Sequence, residues 1–216
     1  MDKIDSIKLG GEIPPHVDIT NLSDNDKVEI NRFESEAFEA GTVDIQEHIK
    51  KIYPDLGETW MEYINYVPAY VILNDKSEQI ILNTDLTKDS EVQRIFKRHE
   101  SVEIIMANKQ LDPHAVASQI GIDPSVIVSD QYNGPEHYVA IFHQAILAKE
   151  LGKTDEMLDT FKSSLRTFLR EVVPLKARME SLSTGLNVRQ CYAYSRDELI
   201  RLNINSLEQI VKKVNT

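Results

Sequence analysis

The sequence predicts an α+β fold, mainly α: a helical bundle with a small three-stranded β-β-α-β unit. Three observations lead there. Leu158, Phe161, Leu165, Phe168, Val172, Leu175, Met179 and Leu182 recur at alternating spacings of 3 and 4, a heptad seam of eight apolar positions. Two β-prone runs, Ala69 to Leu73 and Gln79 to Leu82, flank the turn cluster Asn74-Asp75-Lys76-Ser77. Capping residues and Gly or Pro stops punctuate most of the remaining chain at helical lengths.

Taken in order, residues 1–22 read as an extended N-terminal arm. Gly10-Gly11 and Pro14-Pro15 interrupt any helix there, although Ile4, Ile7, Leu9, Ile13, Val17 and Ile19 are aliphatic. Ser23 is an N-cap followed by Asp24 and Asp26, where the helix dipole favours negative charge. That helix carries Val28, Ile30, Phe33 and Phe38 to a stop near Gly41. Asp44 and Glu47 form a capping pair for a second helix with Ile45, Ile49 and Ile52, and a short third is expected over Glu58 to Tyr66.

After Pro68 the chain changes character. The two β-prone runs are expected to form a hairpin with a connection of four or five residues. Ser90 caps a helix through Val92, Ile95 and Phe96 with a basic end at Lys97-Arg98-His99, and Val102 to Met106 (V-E-I-I-M) reads as the third strand. Beyond it everything looks helical. Asp112-Pro113 opens one helix that Gly121 closes, and Asp123-Pro124 opens a short one. Pro135 starts a helix to Leu151 that is apolar on more than one side, and Thr154 restarts the chain after Gly152. The heptad seam follows, kinked or split at Pro174. Leu169 and Val173 widen its stripe beyond a two-stranded coil, so it is expected to be the inner face of an intramolecular bundle. Ser195-x-x-Glu198 and Ser206-x-x-Gln209 delimit two short C-terminal helices. The domain division that results is an arm (1–22), an α/β region (23–133) with hairpin and strand near 69–107, and a helical region (134–216).

With 216 residues and 41% hydrophobic content the chain can build a core without staples, and wholesale disorder is excluded. The single cysteine, Cys191, rules out an intramolecular disulfide and a thiolate zinc site. The longest uncharged stretch, Tyr63 to Asn74, is too short to span a bilayer, and the acidic, apolar-poor start lacks the pattern of a secretory leader. A cytoplasmic protein with no membrane contact is the expectation. Net charge is −11, distributed as −8 over residues 1–60, −6 over 61–150 and +3 over 151–216, so nucleic acid is an improbable partner.

Few patterns carry chemistry. Residues 116–127 have helix-turn-helix spacing, but the would-be recognition helix holds no Lys or Arg to meet phosphate or guanine. Residues 138–168 resemble a single tetratricopeptide-type helical pair, on Ala145, Ala148, L-G-K-T-D, Leu158, Phe161 and Leu165. One unit implies an αα-hairpin and nothing more. Of six histidines, His137 and His143 share a helix at a spacing of six, which places them on different faces, while His16, His48, His99 and His114 lie on separate segments. Neither H-x-x-H nor H-E-x-x-H occurs, so hydrogen-bonded or surface histidines are expected. Phosphate-loop, dinucleotide and nucleophile-elbow signatures are absent, and Cys191 beside Arg189 reads as structural.

On these grounds no catalytic, cofactor-binding or metal-binding residue is nominated, and no cofactor is expected. The leading expectation is a non-enzymatic interaction or assembly subunit with a protein partner. The alternatives are a nucleic-acid-associated regulator using residues 116–127 and an enzyme with a dispersed site. A deep polar pocket with clustered His, Asp or Glu would favour the enzyme.

Overall fold

A computed structural model describes residues 17–54, 65–74, 77–129, 134–167 and 196–216. Among these residues there are eight helices and a three-stranded mixed sheet, an α+β fold that is mainly α. In chain order the elements are α1 (Asp24–Glu36), β1 (Phe38–Ala40), α2 (Thr42–Ile52), β2 (Ala69–Asn74), β3 (Ser77–Asn83), α3 (Ser90–Ala107), α4 (Pro113–Ile120), α5 (Pro124–Ser129), α6 (Pro135–Glu150), α7 (Thr154–Thr167) and α8 (Arg196–Asn215).

Local chemistry sets several boundaries as expected. Ser23 and Asp26 form a reciprocal capping box at α1. Asp112 caps α4, Pro113 fills its first turn, and Gly121 ends it in the left-handed region at φ 74°. Gly152, at φ 65°, separates α6 from α7.

The sheet differs from the expected β-β-α-β unit. Its strand order is β1-β3-β2, and the third strand comes from before the hairpin, not after it. Phe38 stands on β1, which runs parallel to β3 in the register Phe38↔Ile81, Glu39↔Leu82, Ala40↔Asn83. β2 pairs antiparallel with β3 from Ala69↔Leu82 to Asn74↔Ser77, which leaves two residues between the strands rather than four or five. β3 is central and buried on both faces. Ile81 packs with Ile45 and Ile49 of α2, whereas Ile80 and Leu82 point to the α1 and α3 side, the period-2 alternation of a strand.

Val102 to Met106, expected as a strand, is helical. α3 starts from an Asp89 cap rather than Ser90 and continues without a break through Lys97-Arg98-His99 to Ala107. Val92, Ile95, Phe96, His99, Val102 and Met106 form one buried stripe at spacings of 3 and 4. The β-branched preference of V-E-I-I-M yields to the apolar surface of α6, against which α3 lies along its length.

Two further expectations fail for identifiable reasons. Asp44 and Glu47 do not cap α2; Gly41 is its N-cap, and the free Thr42 N–H donates to the Asp85 carboxylate at 2.8 Å. The two C-terminal helices are one, α8. Ser206 caps nothing, because its Oγ donates back to the carbonyls of Leu202 and Asn203 at 2.9 and 3.0 Å within the helix.

The main core gathers α3, α4, α5, α6 and α8 around Tyr138, Ile141, Ile95, Ile120 and Leu207. Ile19 also belongs to it, wholly buried. The backbone around it is pinned by Gln119, which accepts from Ile19 N and donates to the Val17 carbonyl, and by the His143 Nε2–H bond to the Ile19 carbonyl at 2.7 Å. Of the heptad seam, Leu158, Phe161 and Leu165 fall on α7, half-buried, while Met157 is the wholly buried residue there. Phe168 to Leu182, residues 1–16, Cys191, and most of the segment expected as a short helix over 58–66 lie outside the described residues. No described helix is long and apolar enough to cross a membrane.

Candidate metal centre

Residues 98–103 read R-H-E-S-V-E, and they fall in the middle of α3. A spacing of four puts His99 and Glu103 on one helical face, one turn apart. His137 arrives from the first turn of α6, which Pro135 starts directly across from this part of α3. The three side chains converge: their nearest ligand atoms all lie within 4.8 Å of one another.

One carboxylate oxygen is the meeting point. Glu103 Oε2 is 3.1 Å from His99 Nε2 and 3.2 Å from His137 Nδ1. The two imidazole rings stand edge to face at 4.9 Å. Phe161 of α7 approaches both, at 6.0 Å from His99 and 6.5 Å from His137, and forms an apolar wall. The site is neither sealed nor open. His99 retains 6% of its side-chain exposure and His137 14%, but Glu103 keeps 35%, a route for solvent on one side.

A buried polar contact supports His99 from behind. Its Nδ1 lies 3.0 Å from Gln144 Oε1 on α6, and Gln144 is wholly buried. Gln144 Nε2 has no hydrogen-bond partner among the described residues. Leaving such a donor unmet costs about 1–3 kcal/mol.

The electrostatics follow from this packing. Burial works against the charge on Glu103, yet His137, by proximity and hydrogen bonding, and His99 hold it far below the ordinary carboxylate range. Glu100 stands three residues before Glu103, hence on the same side of α3. Burial pushes it up to about 7, His99 opposing and the Glu103 carboxylate adding to the rise. Arg98, which precedes His99, forms a largely buried pair with Glu34 of α1.

Two imidazoles and a carboxylate suit a divalent transition metal. For a tetrahedral ion with bonds of ~2.1 Å, ligand atoms sit roughly 3.4 Å apart, close to the two short separations here. Three protein ligands would leave a tetrahedral ion one position for water or substrate.

The histidines are hydrogen-bonded or exposed, as expected, but two of the six are not isolated. His99 and His137, on different segments in the sequence, share Glu103. The remaining described histidines do stay apart. His48 stacks on Phe38 at 4.0 Å and meets Gln79, His114 is exposed, and His143 bonds the Ile19 carbonyl. His16 lies outside the described residues. The sequence did hold a signal, H-E-x-x-E at 99–103, which differs from H-E-x-x-H in one ligand type and keeps its spacing.

The helix-turn-helix spacing at 116–127 is realised as α4 and α5. Val116, Ala117, Ile120, Ile122, Val126 and Ile127 are buried in the main core, so the pair serves packing. A surface cavity of about 350 Å³ between Asn65, Tyr66, Leu86 and the Asp159–Ser164 stretch of α7 contains none of the clustered residues.

Comparison with protein-family models, with curated proteins and with solved structures gives no match for this chain.

Proposed function

We propose that the protein is a metal-dependent hydrolase, with His99, Glu103 and His137 holding a zinc ion and Glu100 acting as general base. The observation that carries the reading is the convergence of three ligand atoms within 4.8 Å on α3 and α6. Zinc bound there would lower the pKa of its water to about 7 and polarise a substrate carbonyl. Glu100, on the same helix as two of the ligands, accepts the proton as the water oxygen attacks the carbonyl carbon. It then returns that proton to the leaving nitrogen or oxygen as the bond to carbon breaks. Phe161 limits water on one flank, and the exposed side of Glu103 gives a substrate its approach.

The same ligand set serves non-haem iron(II). Glu100 favours zinc hydrolysis, because a carboxylate following the first ligand has a defined task when water is the nucleophile. An assembly subunit with a protein partner is the leading expectation from the sequence, on the extended acidic arm, the uneven charge and the absence of a catalytic pattern. H-E-S-V-E, with His137 brought beside it, supplies one and makes the enzyme the better-supported reading.

The test is metal binding by the full chain. Purified protein, stripped with chelator and titrated separately with zinc and iron(II), should bind one equivalent of zinc. His99→Ala, Glu103→Ala and His137→Ala should each weaken zinc by more than ~100-fold, beyond the loss usual for an outer-shell residue. Zinc affinity unchanged in all three variants overturns the site, and a preference for iron(II) overturns the hydrolytic assignment.

A further inference from the structure

We infer that Gln144 is the positioning residue that fixes which nitrogen of His99 faces the metal; the inference rests on the metal-centre reading above. Gln144 Oε1 lies 3.0 Å from His99 Nδ1. An amide oxygen only accepts, so with the Gln144 side chain in this orientation Nδ1 carries the hydrogen. In the neutral ring the lone pair then resides on Nε2, and Nε2 is the atom 3.1 Å from Glu103 Oε2. Without a cation, Nε2 meets the Glu103 carboxylate only as a second N–H. A metal ion held by His99, Glu103 and His137, whose Nδ1 lies 3.2 Å from the same oxygen, would take the place of that hydrogen. Ligating histidines ordinarily donate their other N–H to a carbonyl or carboxylate, which sets the tautomer and the ring plane.

Gln144 fits that task and no other on view. It is wholly buried on α6 and its Nε2 has no partner among the described residues, so what it contributes is its acceptor end. α6 thus supplies a ligand, His137, and the support for a ligand on α3, with Gln144 two turns further along the helix. The distance between α3 and α6 therefore sets both the metal position and the tautomer.

The experiment measures zinc affinity by chelator competition for wild type, Gln144→Leu and Gln144→Glu. Long-range nitrogen-15 NMR of the zinc-loaded wild type reports the His99 tautomer. Gln144→Leu removes one unmet donor and leaves the His99 Nδ1–H without its acceptor, so the melting temperature should change little, and it should bind zinc 10–100-fold more weakly. Gln144→Glu, which still accepts, should bind at least as tightly as wild type. The NMR should show Nδ1 protonated and Nε2 coordinated. If wild type binds zinc and Gln144→Leu binds within about twofold of it, the role assigned to Gln144 is wrong while the metal centre stands. A zinc-loaded His99 protonated at Nε2 overturns the role directly, even where Gln144→Leu does not fold. A wild type that takes up no zinc removes the metal centre itself, and this role with it.

Discussion

Glu103 turns a single carboxylate oxygen to His99, one turn before it on α3, at 3.1 Å, and that oxygen also receives His137 from α6. The arrangement couples two elements 34 residues apart through one atom, so its consequences reach beyond the site.

Catalysis and binding should separate at Glu100. Glu100→Gln keeps size and leaves the three ligands in place, so zinc affinity should stay close to that of wild type. Hydrolysis of ester or peptide substrates should fall roughly 10²–10⁴-fold, the usual contribution of a general base. Equal loss of zinc and activity would instead make Glu100 a ligand.

Metal removal should lower stability, because a centre shared by α3 and α6 exists only when they are packed. At zinc 100-fold above its Kd, binding adds about 2.7 kcal/mol. For a chain of this size that corresponds to a melting temperature roughly 5–10 °C above the chelated form. Calorimetry with and without chelator checks it, and identical melting curves would contradict the shared centre.

Acid should weaken the hold of the core on residues 17–22. Burial keeps the His143 imidazole below its ordinary 6.5; its bond to the Ile19 carbonyl opposes this, and Arg98 adds to it. The folded state thus binds the proton less readily than the unfolded one. Stability from His143 is complete above about pH 6.5 and declines below it, until the lowered folded pKa is passed, by at most about 1.4 kcal/mol per pH unit. Urea midpoints at about pH 7.5 and 5.5 measure the slope, which should be smaller in His143→Gln, where an amide N–H still reaches Ile19 and does not titrate.

Ile19→Ala should cost about 2–5 kcal/mol, as for other wholly buried aliphatic truncations. Ile19 has no exposure and lies among core residues from α4 and α6. Denaturant unfolding measures the cost. A loss below about 0.5 kcal/mol, the range of surface changes, would show that the segment is not held.

What the sequence determined by itself was local. Ser23 with Asp26, Asp112 with Pro113, and Gly121 and Gly152 set helix ends through hydrogen bonds and backbone angles that reach only a few residues. The hairpin was legible for the same reason, as two β-prone runs around a turn cluster. Tertiary structure decided what depended on distant partners. Val102 to Met106 is helical because α6 offers its stripe an apolar surface, and Phe38 is a strand residue because β3 offers a free edge. Ser206 sits mid-helix because Asn203 before it and Leu207 and Ile210 after it are buried together along one helical face. The candidate metal centre divides along the same line. The His99–Glu103 spacing is written into one helix, whereas His137 and Gln144 join it only through the packing of α6 on α3, which no local pattern encodes.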